Sequence, residues 1–539
     1  MMDGVEVDLI VVGGGSAGAV LAARLSEDGA RSVLLLEAGR SDRHPFTRVP
    51  ALNIGAVQNP AFDWGFKTEP DPSRGGRIDH WAAAKVLGGG SAINGMMFIR
   101  GHRHDYDRWA TELGCAGWDH ASVLPYFRKL ETSSRGADAF RGGTGPLSVD
   151  EVRMTHPLTA AWMAAAQAAG VPACADLNGG DAEGVDRVQV SQRRGWRAST
   201  SAEYLRPARR RANLQVELRA EVQKILVSDG RARGVEYLQG GQRKTVHARG
   251  GVVVAAGTMA SPKLLMLSGI GPGAQLAGLG IPVLCDLPGV GANLQDHVGT
   301  HYAVAVDQHT LNTDRHPLRL LLHAGNFLLR GRGPLATPIG HAQAFVRTRP
   351  GLAAPNLQLI MAPLAFDLDA QGKIVLAGEA AISTMVAVNR PASRGRLSLR
   401  SADPQDPPRI EHALLGADDD LEQLAEGLAL ARRIAQQAPL AAHVKHERLL
   451  FSQLQTHEQL RDFARAASIC MYHPAGTCRM GDTRRDAEAV VDPQLRVRGV
   501  DGLWVADASV IPALPAGNIN ATVVMIGEKA ADHIAGALR

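Results

Sequence analysis

A glycine-rich turn between a buried strand and a helix, near the start of the chain, constrains the fold more than any other feature. Residues 5–12 form an apolar run typical of a parallel strand, and a Gly-x-Gly-x-x-Gly motif follows over residues 13–18. Residues 19–25 carry small side chains at helical spacing, and a second apolar strand ends at Glu37. This order predicts a βαβ unit of about 30 residues, the building block of a doubly wound sheet.

Each glycine of the motif has a mechanical role in holding a dinucleotide. Gly13 allows a tight turn, Gly15 lets the backbone approach a pyrophosphate, and Gly18 lets the helix lie close to the sheet. The helix that follows the turn directs its first N–H groups and its positive dipole end at the diphosphate. The carboxylate of Glu37 can accept hydrogen bonds from ribose hydroxyls. The motif predicts a dinucleotide site without separating FAD from NAD.

The composition argues against several other classes of protein. A net charge of +4 over 539 residues gives no case for a nucleic-acid partner. The five cysteines are scattered without a Cys-x-x-Cys pair, so we predict neither a disulfide framework nor a metal site. We see no signal-peptide pattern and no apolar run of the roughly 18 residues that span a bilayer. We therefore expect a cytoplasmic protein, with peripheral attachment to a membrane left open.

Several long sequence blocks carry a family resemblance. They are KVLGGGSAINGM at 85–96, GTMASPKLLMLSGIGP at 257–272, LPGVGANLQDH at 287–297, YHPAGTCRMG at 472–481, and Asp507-Ala508-Ser509 with Gly517-Asn518-Ile519-Asn520. Together with the first glycine motif they resemble the glucose–methanol–choline (GMC) oxidoreductase family along essentially the whole chain. Within that family, these blocks are similar to those of the bacterial choline dehydrogenase and alcohol-oxidising branch.

The resemblance implies an α/β fold in two parts and FAD as the cofactor. One part is a Rossmann-like FAD-binding domain, and the other is an α+β substrate-binding domain built on an antiparallel sheet. We assign residues 1–155, 210–300 and 465–539 to the discontinuous FAD-binding domain. We assign residues 156–209 and 301–464 to the substrate-binding domain.

The resemblance also implies which residues hold the cofactor. The expected FAD-binding residues are Gly13, Gly15, Ser16, Gly18, Glu37, Ala38, Gly89, Gly90, Asn94, Gly95, Met96, Val222, Ala256, Asp507, Ala508 and Asn520. Among them Val222 is expected at the adenine, and Asn520 at the pyrimidine side of the flavin. Ile93 stands where some members carry a histidine joined to flavin, so we predict non-covalent FAD. The chain departs from the family at residues 82–84, which are alanines where Pro-Arg-Gly is frequent.

His473 and Asn518 are the predicted catalytic residues. A flavin takes hydride at N5, so an alcohol must lose its hydroxyl proton as its C–H bond breaks, and an imidazole suits this task. His473 matches the family's catalytic histidine, and Asn518 matches a second position whose amide can orient the hydroxyl. Asn520 lies close by and competes for that second role, while His297 is expected to support the fold.

The predicted function is FAD-dependent oxidation of a primary alcohol to an aldehyde. One alternative is a hydroxynitrile lyase, which shares this architecture and holds FAD without net redox chemistry. A second is a non-catalytic flavoprotein. The electron acceptor stays open between oxygen, a quinone and another carrier. Aromatic residues make up 4% of the chain, which favours an uncharged alcohol over choline, whose ammonium group calls for an aromatic cage and a carboxylate.

Overall fold

Two large β-sheets organise the fold, in a computed structural model that describes residues 5–314, 316–368, 374–448 and 451–539. In spatial order, the strands of the first sheet are Leu214–Leu218, Val33–Glu37, Val5–Val12, Gln242–Val254, Arg231–Gln239 and Ala220–Ser228, and Leu503–Val505 also pairs with Gln242–Val254. The strands of the second sheet are Val444–Glu447, Val298–Val306, Ala381–Val388, Leu357–Ala362, Ala342–Val346 and Gly184–Arg187, and Ile469–Cys470 also pairs with Val298–Val306.

The first sheet confirms the predicted βαβ unit. Val5–Val12 pairs in parallel with Val33–Glu37 on one side and with Gln242–Val254 on the other. The helix Ser16–Leu25 connects the first two of these strands. All five residues of Val33–Glu37 are buried, as expected for a parallel strand that is covered on both faces of the sheet.

The second sheet is antiparallel throughout, as the fold class predicts. The helix Asp418–Ala435 lies against it and contacts it at Gly427. A β-carbon at Gly427 would lie 2.2 Å from Cγ1 of Val386, so glycine sets how closely helix and sheet approach. The two sheets draw on interleaved stretches of the chain, and the predicted domain boundaries themselves stay a prediction.

The other elements are shorter or lie outside the two sheets. The remaining helices are Pro45–Arg48, Gly90–Ile93, Arg103–Thr111, His120–Leu130, Pro157–Ala168, Arg206–Ala208, Ala260–Leu267, Gly273–Gly278, Pro317–Arg330, Ala438–Ala441, His457–Ala467 and Asn520–Ala537. A four-stranded sheet joins Glu131–Ser133, Leu147–Glu151, Gln189–Arg193 and Trp196–Arg197. Two-stranded pairs join Phe66–Lys67 with His80–Trp81, Ile270–Gly271 with Cys285–Asp286, Phe366–Leu368 with Ile374–Leu376, and Arg396–Ser398 with Arg409–Glu411. No helix among the described residues has the length and apolarity needed to cross a bilayer.

The last helix, Asn520–Ala537, lies directly against the first helix, Ser16–Leu25. Gly527 makes the close approach possible, because a β-carbon there would lie 3.1 Å from the carbonyl oxygen of Ala17. Beside this contact the buried carboxylate of Glu528 accepts a hydrogen bond from Nη2 of Arg24 at 2.9 Å and one from the hydroxyl of Tyr204 at 2.7 Å. The N-termini of both helices therefore lie next to the glycine-rich turn.

Candidate active site

Two glycine-rich loops meet at the end of the first sheet. The amide of Gly88 donates to the carbonyl of Gly14 at 2.7 Å. Gly89 has a φ of +52°, and a β-carbon there would lie 2.6 Å from Cα of Gly15. Such contact between two backbones leaves no room for side chains, so the loops form a cradle lined by peptide groups. This cradle contains the predicted residues Gly13, Gly15, Gly18, Gly89 and Gly90.

A buried carboxylate closes the cradle at the end of the second strand. Oε2 of Glu37 accepts from the amide of Gly14 at 2.7 Å, and Oε1 accepts from the amide of Gly39 at 2.6 Å. Burial raises the pKa of Glu37, while these two backbone donors oppose the shift. Ala38 follows it and is half-buried. Hydrogen bonds from the amides of Gly14 and Gly39 thus hold this carboxylate, which is predicted to bind ribose, beside the glycine turn.

Ser16 links the first helix to two other predicted residues of the site. Its hydroxyl oxygen accepts from the amide of Ser91 at 3.2 Å and from Nδ2 of Asn520 at 2.9 Å. The structure therefore brings the 88–97 loop and the start of the last helix to one point. Asn520 faces the glycine turn in this arrangement, whereas Asn518 contacts His473.

The segment that follows the second glycine loop is stiffened by Asn94. Its Oδ1 accepts from the amide of Met96 at 3.0 Å and from Nη1 of Arg197 at 2.7 Å. Met96 has a φ of +60°, which is the left-handed region, and Gly95 before it has open space at its β-position. The 94–96 segment is therefore fixed in an unusual backbone path.

Arg197 is a buried cation that sequence reasoning missed. Burial lowers its pKa to about 9, and no carboxylate pairs with it among the described residues. Within the same residues its Nε and Nη2 have no hydrogen-bond partner. Unsatisfied buried donors are costly, and they fit an acceptor-rich group such as FAD in the cradle. No pattern in the sequence around Gly195-Trp196-Arg197 marks it.

Asp507 accepts hydrogen bonds from two turns at the end of the first sheet. Its Oδ2 accepts from the amide of Gly257 at 2.8 Å and from the hydroxyl of Ser261 at 2.6 Å, and Oδ1 accepts from the amide of Ser509. The carboxylate thus joins the 256–261 turn to the 507–510 turn. Ala256 and Ala508 lie on these two turns, and Val222 is half-buried on the strand Ala220–Ser228.

The predicted catalytic pair is in direct contact. Nε2 of His473 lies 3.1 Å from Nδ2 of Asn518, although 45 residues separate them in the chain. The preceding Tyr472 has a φ of +58°, and the buried Oδ1 of Asp296 accepts from the amide of His473 at 2.8 Å. A fixed backbone therefore aims the imidazole at Asn518.

A chain of hydrogen bonds assigns the tautomer of His473. Nε2 of His297 lies 3.0 Å from the carbonyl oxygen of Asn389, which can only accept, so Nε2 of His297 carries the proton. Nδ1 of His297 is then an acceptor, and Nδ1–H of His473 donates to it across 2.9 Å. Nε2 of His473 is left with its lone pair, and the amide Nδ2–H of Asn518 donates to it. His297, expected to support the fold, is thus part of the site.

Both imidazoles are held in the neutral form. Burial lowers the pKa of His473 well below 6.5, and a positive charge on His297, when that ring is protonated, would lower it further. Burial also lowers the pKa of His297, to about 4. A neutral imidazole is the form that can accept a proton, so His473 is ready to act as a base at neutral pH.

The second sheet supplies the other side of the site. Nε2 of Gln358 donates to Oδ1 of Asn518 at 3.4 Å and to Oε1 of Gln343 at 2.9 Å. The carboxamide of Asn518 is thereby oriented with its oxygen toward the sheet and its nitrogen toward His473. Nearby apolar side chains form one cluster, whose members are Met96, Met97, Val188, Val190 and Ile360, with Val152, Met385 and Met471 packed against it.

Metal chemistry finds no support in the side-chain arrangement. Within the part of the chain that the structure describes, no three His, Cys, Asp or Glu side chains converge as ligands for an ion. The site instead offers a peptide-lined cradle at one end and a neutral base beside an amide at the other.

Comparison with known proteins accounts for nearly the whole chain. Two family models described as GMC oxidoreductase match residues 7–299 and 391–527. An oxygen-dependent choline dehydrogenase from Rhizobium etli is 41% identical over 532 residues, covering 98% of this chain and 96% of that protein. Mitochondrial choline dehydrogenase from Homo sapiens is 40% identical over 539 residues, covering 98% and 90%. The crystal structure of pyridoxine 4-oxidase from Mesorbium loti superimposes with a TM-score of 0.87 at 31% identity, covering 97% of this chain and 98% of the other.

Proposed function

The chain belongs to the GMC oxidoreductase family and is an FAD-dependent oxidoreductase acting on CH–OH groups, and from this premise we propose that it oxidises a primary alcohol to an aldehyde. In the proposed reaction His473 removes the hydroxyl proton and Asn518 orients the hydroxyl. The observation that carries the proposal is the contact of a neutral, tautomer-fixed His473 with the amide of Asn518.

The cradle at the end of the first sheet is the proposed FAD site. The residues proposed to hold the cofactor are Gly13, Gly15, Ser16, Gly18, Glu37, Ala38, Gly89, Gly90, Asn94, Gly95, Met96, Val222, Ala256, Asp507, Ala508 and Asn520. The exclusion of side chains between Gly15 and Gly89 and the unpartnered donors of Arg197 support the fit. When bound, FAD supplies a hydride acceptor at N5. Ile93 offers no nucleophile, so we propose that the cofactor is held without a covalent bond.

The base is proposed to act through Nε2 of His473. In the structure this lone pair accepts a hydrogen bond from Asn518, and an alcohol hydroxyl placed between the two could donate to Nε2 while its oxygen accepts from the amide. Such a placement fixes the carbinol carbon relative to two protein groups, which reduces the entropy lost on reaching the transition state.

His297 is proposed to stabilise the imidazolium that forms during the reaction. As His473 takes up the proton, its Nδ1–H becomes a stronger donor toward Nδ1 of His297. Because His297 is a neutral acceptor, it places no negative charge beside His473, and the pKa of His473 stays low in the free enzyme. The hydrogen bond between the two rings still holds the orientation of His473.

The substrate proposed first is an uncharged aliphatic or aryl alcohol. The cluster around Met97, Ile360 and Met385 provides an apolar surface beside the second sheet, which suits such a chain or ring. Choline is the second candidate, since two relatives that match this chain along almost all of it are choline dehydrogenases by name. Parallel assays with benzyl alcohol, 1-octanol and choline distinguish the candidates, and faster turnover of choline would reverse the order.

Anaerobic mixing with an alcohol tests the reaction type. An oxidoreductase bleaches the yellow of its oxidised flavin, whereas a hydroxynitrile lyase leaves it unchanged. Repeating the assay with oxygen or an artificial dye identifies the acceptor class, since hydrogen peroxide forms only in the oxygen reaction of an oxidase. Loss of bleaching in His473→Ala, with FAD still bound, supports the base assignment. His533→Ala, at a half-buried histidine on the last helix, is the matched control and should bleach normally.

A further inference from the structure

The helix Pro317–Arg330, which we call the leucine helix, turns its leucines toward solvent. Six of them are between 51% and 87% exposed, namely Leu318, Leu320, Leu321, Leu322, Leu328 and Leu329. Single exposed leucines are common on protein surfaces, but six on 14 residues need an explanation, and five of the six share one side of the helix.

An ordinary surface helix turns its apolar side toward the protein core, whereas the leucine helix turns its apolar side toward solvent. At about 100° per residue, Leu318, Leu321, Leu322, Leu328 and Leu329 fall within an arc of about 120°. Phe327, the buried residue of the helix, lies on the opposite side. It contacts Trp196, with ring centroids 4.6 Å apart, and belongs to a small apolar cluster with Val49 and Ala336. The leucine helix is thus attached to the protein by one narrow face, and the leucine arc points outward.

Basic residues flank the leucine arc. At about 100° per residue, Arg319 and Arg330 both lie beside one edge of the arc. Arg332 follows the helix. The sequence from residue 315 to residue 366 contains no Asp or Glu. Asp314, just before this stretch, forms ion pairs with Arg319 and His323. Arg330 and Arg332 are both exposed, so the C-terminal end of the apolar face carries a positive charge.

We propose that the leucine helix binds the surface of an anionic lipid bilayer and lies parallel to it. Outward leucines bordered by arginines are the pattern of helices that sit at the boundary between headgroups and acyl chains. The helix is about 21 Å long, shorter than the roughly 30 Å hydrocarbon core, so it can lie on a bilayer but cannot cross it. Charge complementarity favours anionic lipid over a second copy, because two copies would bring like charges together.

The position of the leucine helix relates this surface to the active site. The chain continues from the helix through residues 334–340 to the strand Ala342–Val346, which carries Gln343. A β-carbon at Gly340, in that connection, would lie 2.7 Å from Cγ2 of Ile360 and 3.3 Å from Sδ of Met97, two members of the apolar cluster near Asn518. A bilayer bound to the leucine helix would therefore lie near the substrate side of the protein, where alcohols or electron carriers dissolved in lipid could reach it.

Vesicle flotation of the FAD-loaded full-length protein tests the proposal. Wild type should float with vesicles of phosphatidylcholine containing about 30% phosphatidylglycerol and bind phosphatidylcholine alone more weakly. Leu321→Ser with Leu329→Ser should reduce the partition coefficient about 100-fold, about tenfold for each leucine removed. Arg330→Gln with Arg332→Gln should reduce it about 25-fold on the anionic vesicles, about fivefold for each charge.

The control variant is Ile78→Ser with Leu284→Ser, two exposed apolar residues at 56% and 54% that lie outside the leucine helix. It should float like wild type. Each variant should keep its flavin absorbance and its rate of turnover with a water-soluble alcohol, which shows that the fold is intact. The proposal is overturned if wild type does not float, or if the leucine variant floats as well as the control. It is also overturned if wild type is a dimer that the leucine variant converts to a monomer without any lipid binding.

Discussion

Replacing His297 separates the tautomer argument from a purely structural role for this residue. In His297→Phe a ring of similar size remains, but Nδ1–H of His473 loses its acceptor. A hydrogen bond to a charged group contributes about 1.5–3 kcal/mol, and this bond strengthens when His473 becomes an imidazolium. Lost from the transition state, that energy slows proton removal by about 10- to 150-fold.

A second variant at the same position restores the acceptor. In His297→Gln the amide oxygen can accept from Nδ1–H of His473, and the amide nitrogen can donate toward the carbonyl of Asn389. We expect this variant to reduce its flavin within about tenfold of the wild-type rate. The assay is the single-turnover rate of flavin bleaching on anaerobic mixing with saturating alcohol, with bound FAD measured first from its absorbance.

The two variants together decide the question. Flavin bleaching in His297→Phe at a rate within twofold of wild type would refute the tautomer argument. Equal slowing in both variants would also refute it, because the acceptor would then make no difference. A slow Phe variant with a fast Gln variant, both fully loaded with FAD, is the expected result.

The pKa of about 4 for His297 predicts that acid destabilises the protein: below about pH 6.5 the unfolded chain binds a proton that the folded state lacks, so the free energy of unfolding falls toward pH 4. In urea titrations over this pH range, the free energy of unfolding of His297→Phe should fall by up to about 3 kcal/mol less than that of wild type. The same dependence of the free energy of unfolding on pH in both proteins would contradict the assignment. Arg197→Met should weaken FAD binding at least about tenfold yet leave the melting temperature of the apoprotein unchanged or higher, because an unpaired buried charge is removed. Equal FAD affinity in a fluorescence titration would contradict this. Gly89→Ala should abolish FAD retention, since the new methyl group would meet Gly15, whereas Gly230→Ala, at a positive φ in open space, should keep its yellow colour. A yellow Gly89→Ala protein would show that the cradle tolerates a side chain.

The local fold could be predicted where one pattern determines one element. The apolar strands on either side of the glycine motif and the helix between them follow from periodicity, and the structure places them as expected. The order of strands in the second sheet could not be read in this way. Its strands share no single hydrophobic pattern, since Val444–Glu447 at one edge is mostly polar, and they come from distant parts of the chain, so their pairing depends on tertiary contacts.

The residues of the candidate site could also be predicted from the sequence only in part. His473 and Asn518 were predictable because each lies in a block that resembles the family, but their contact is a property of the fold. The roles of His297 and Arg197 were missed for a physical reason. A histidine facing another imidazole, or an arginine buried without a carboxylate, is defined by its three-dimensional surroundings and leaves no spacing in the sequence.

The contact between the first and last helices has a consequence for biosynthesis. Asn520 reaches Ser16, and Glu528 reaches Arg24, across about 500 residues that the ribosome must translate in between. The nucleotide cradle therefore stays open along one side until the final segment has left the exit tunnel. Cofactor loading is therefore expected only after the helix Asn520–Ala537 has been made, and a nascent chain stalled before residue 520 should be colourless however well its first sheet has folded.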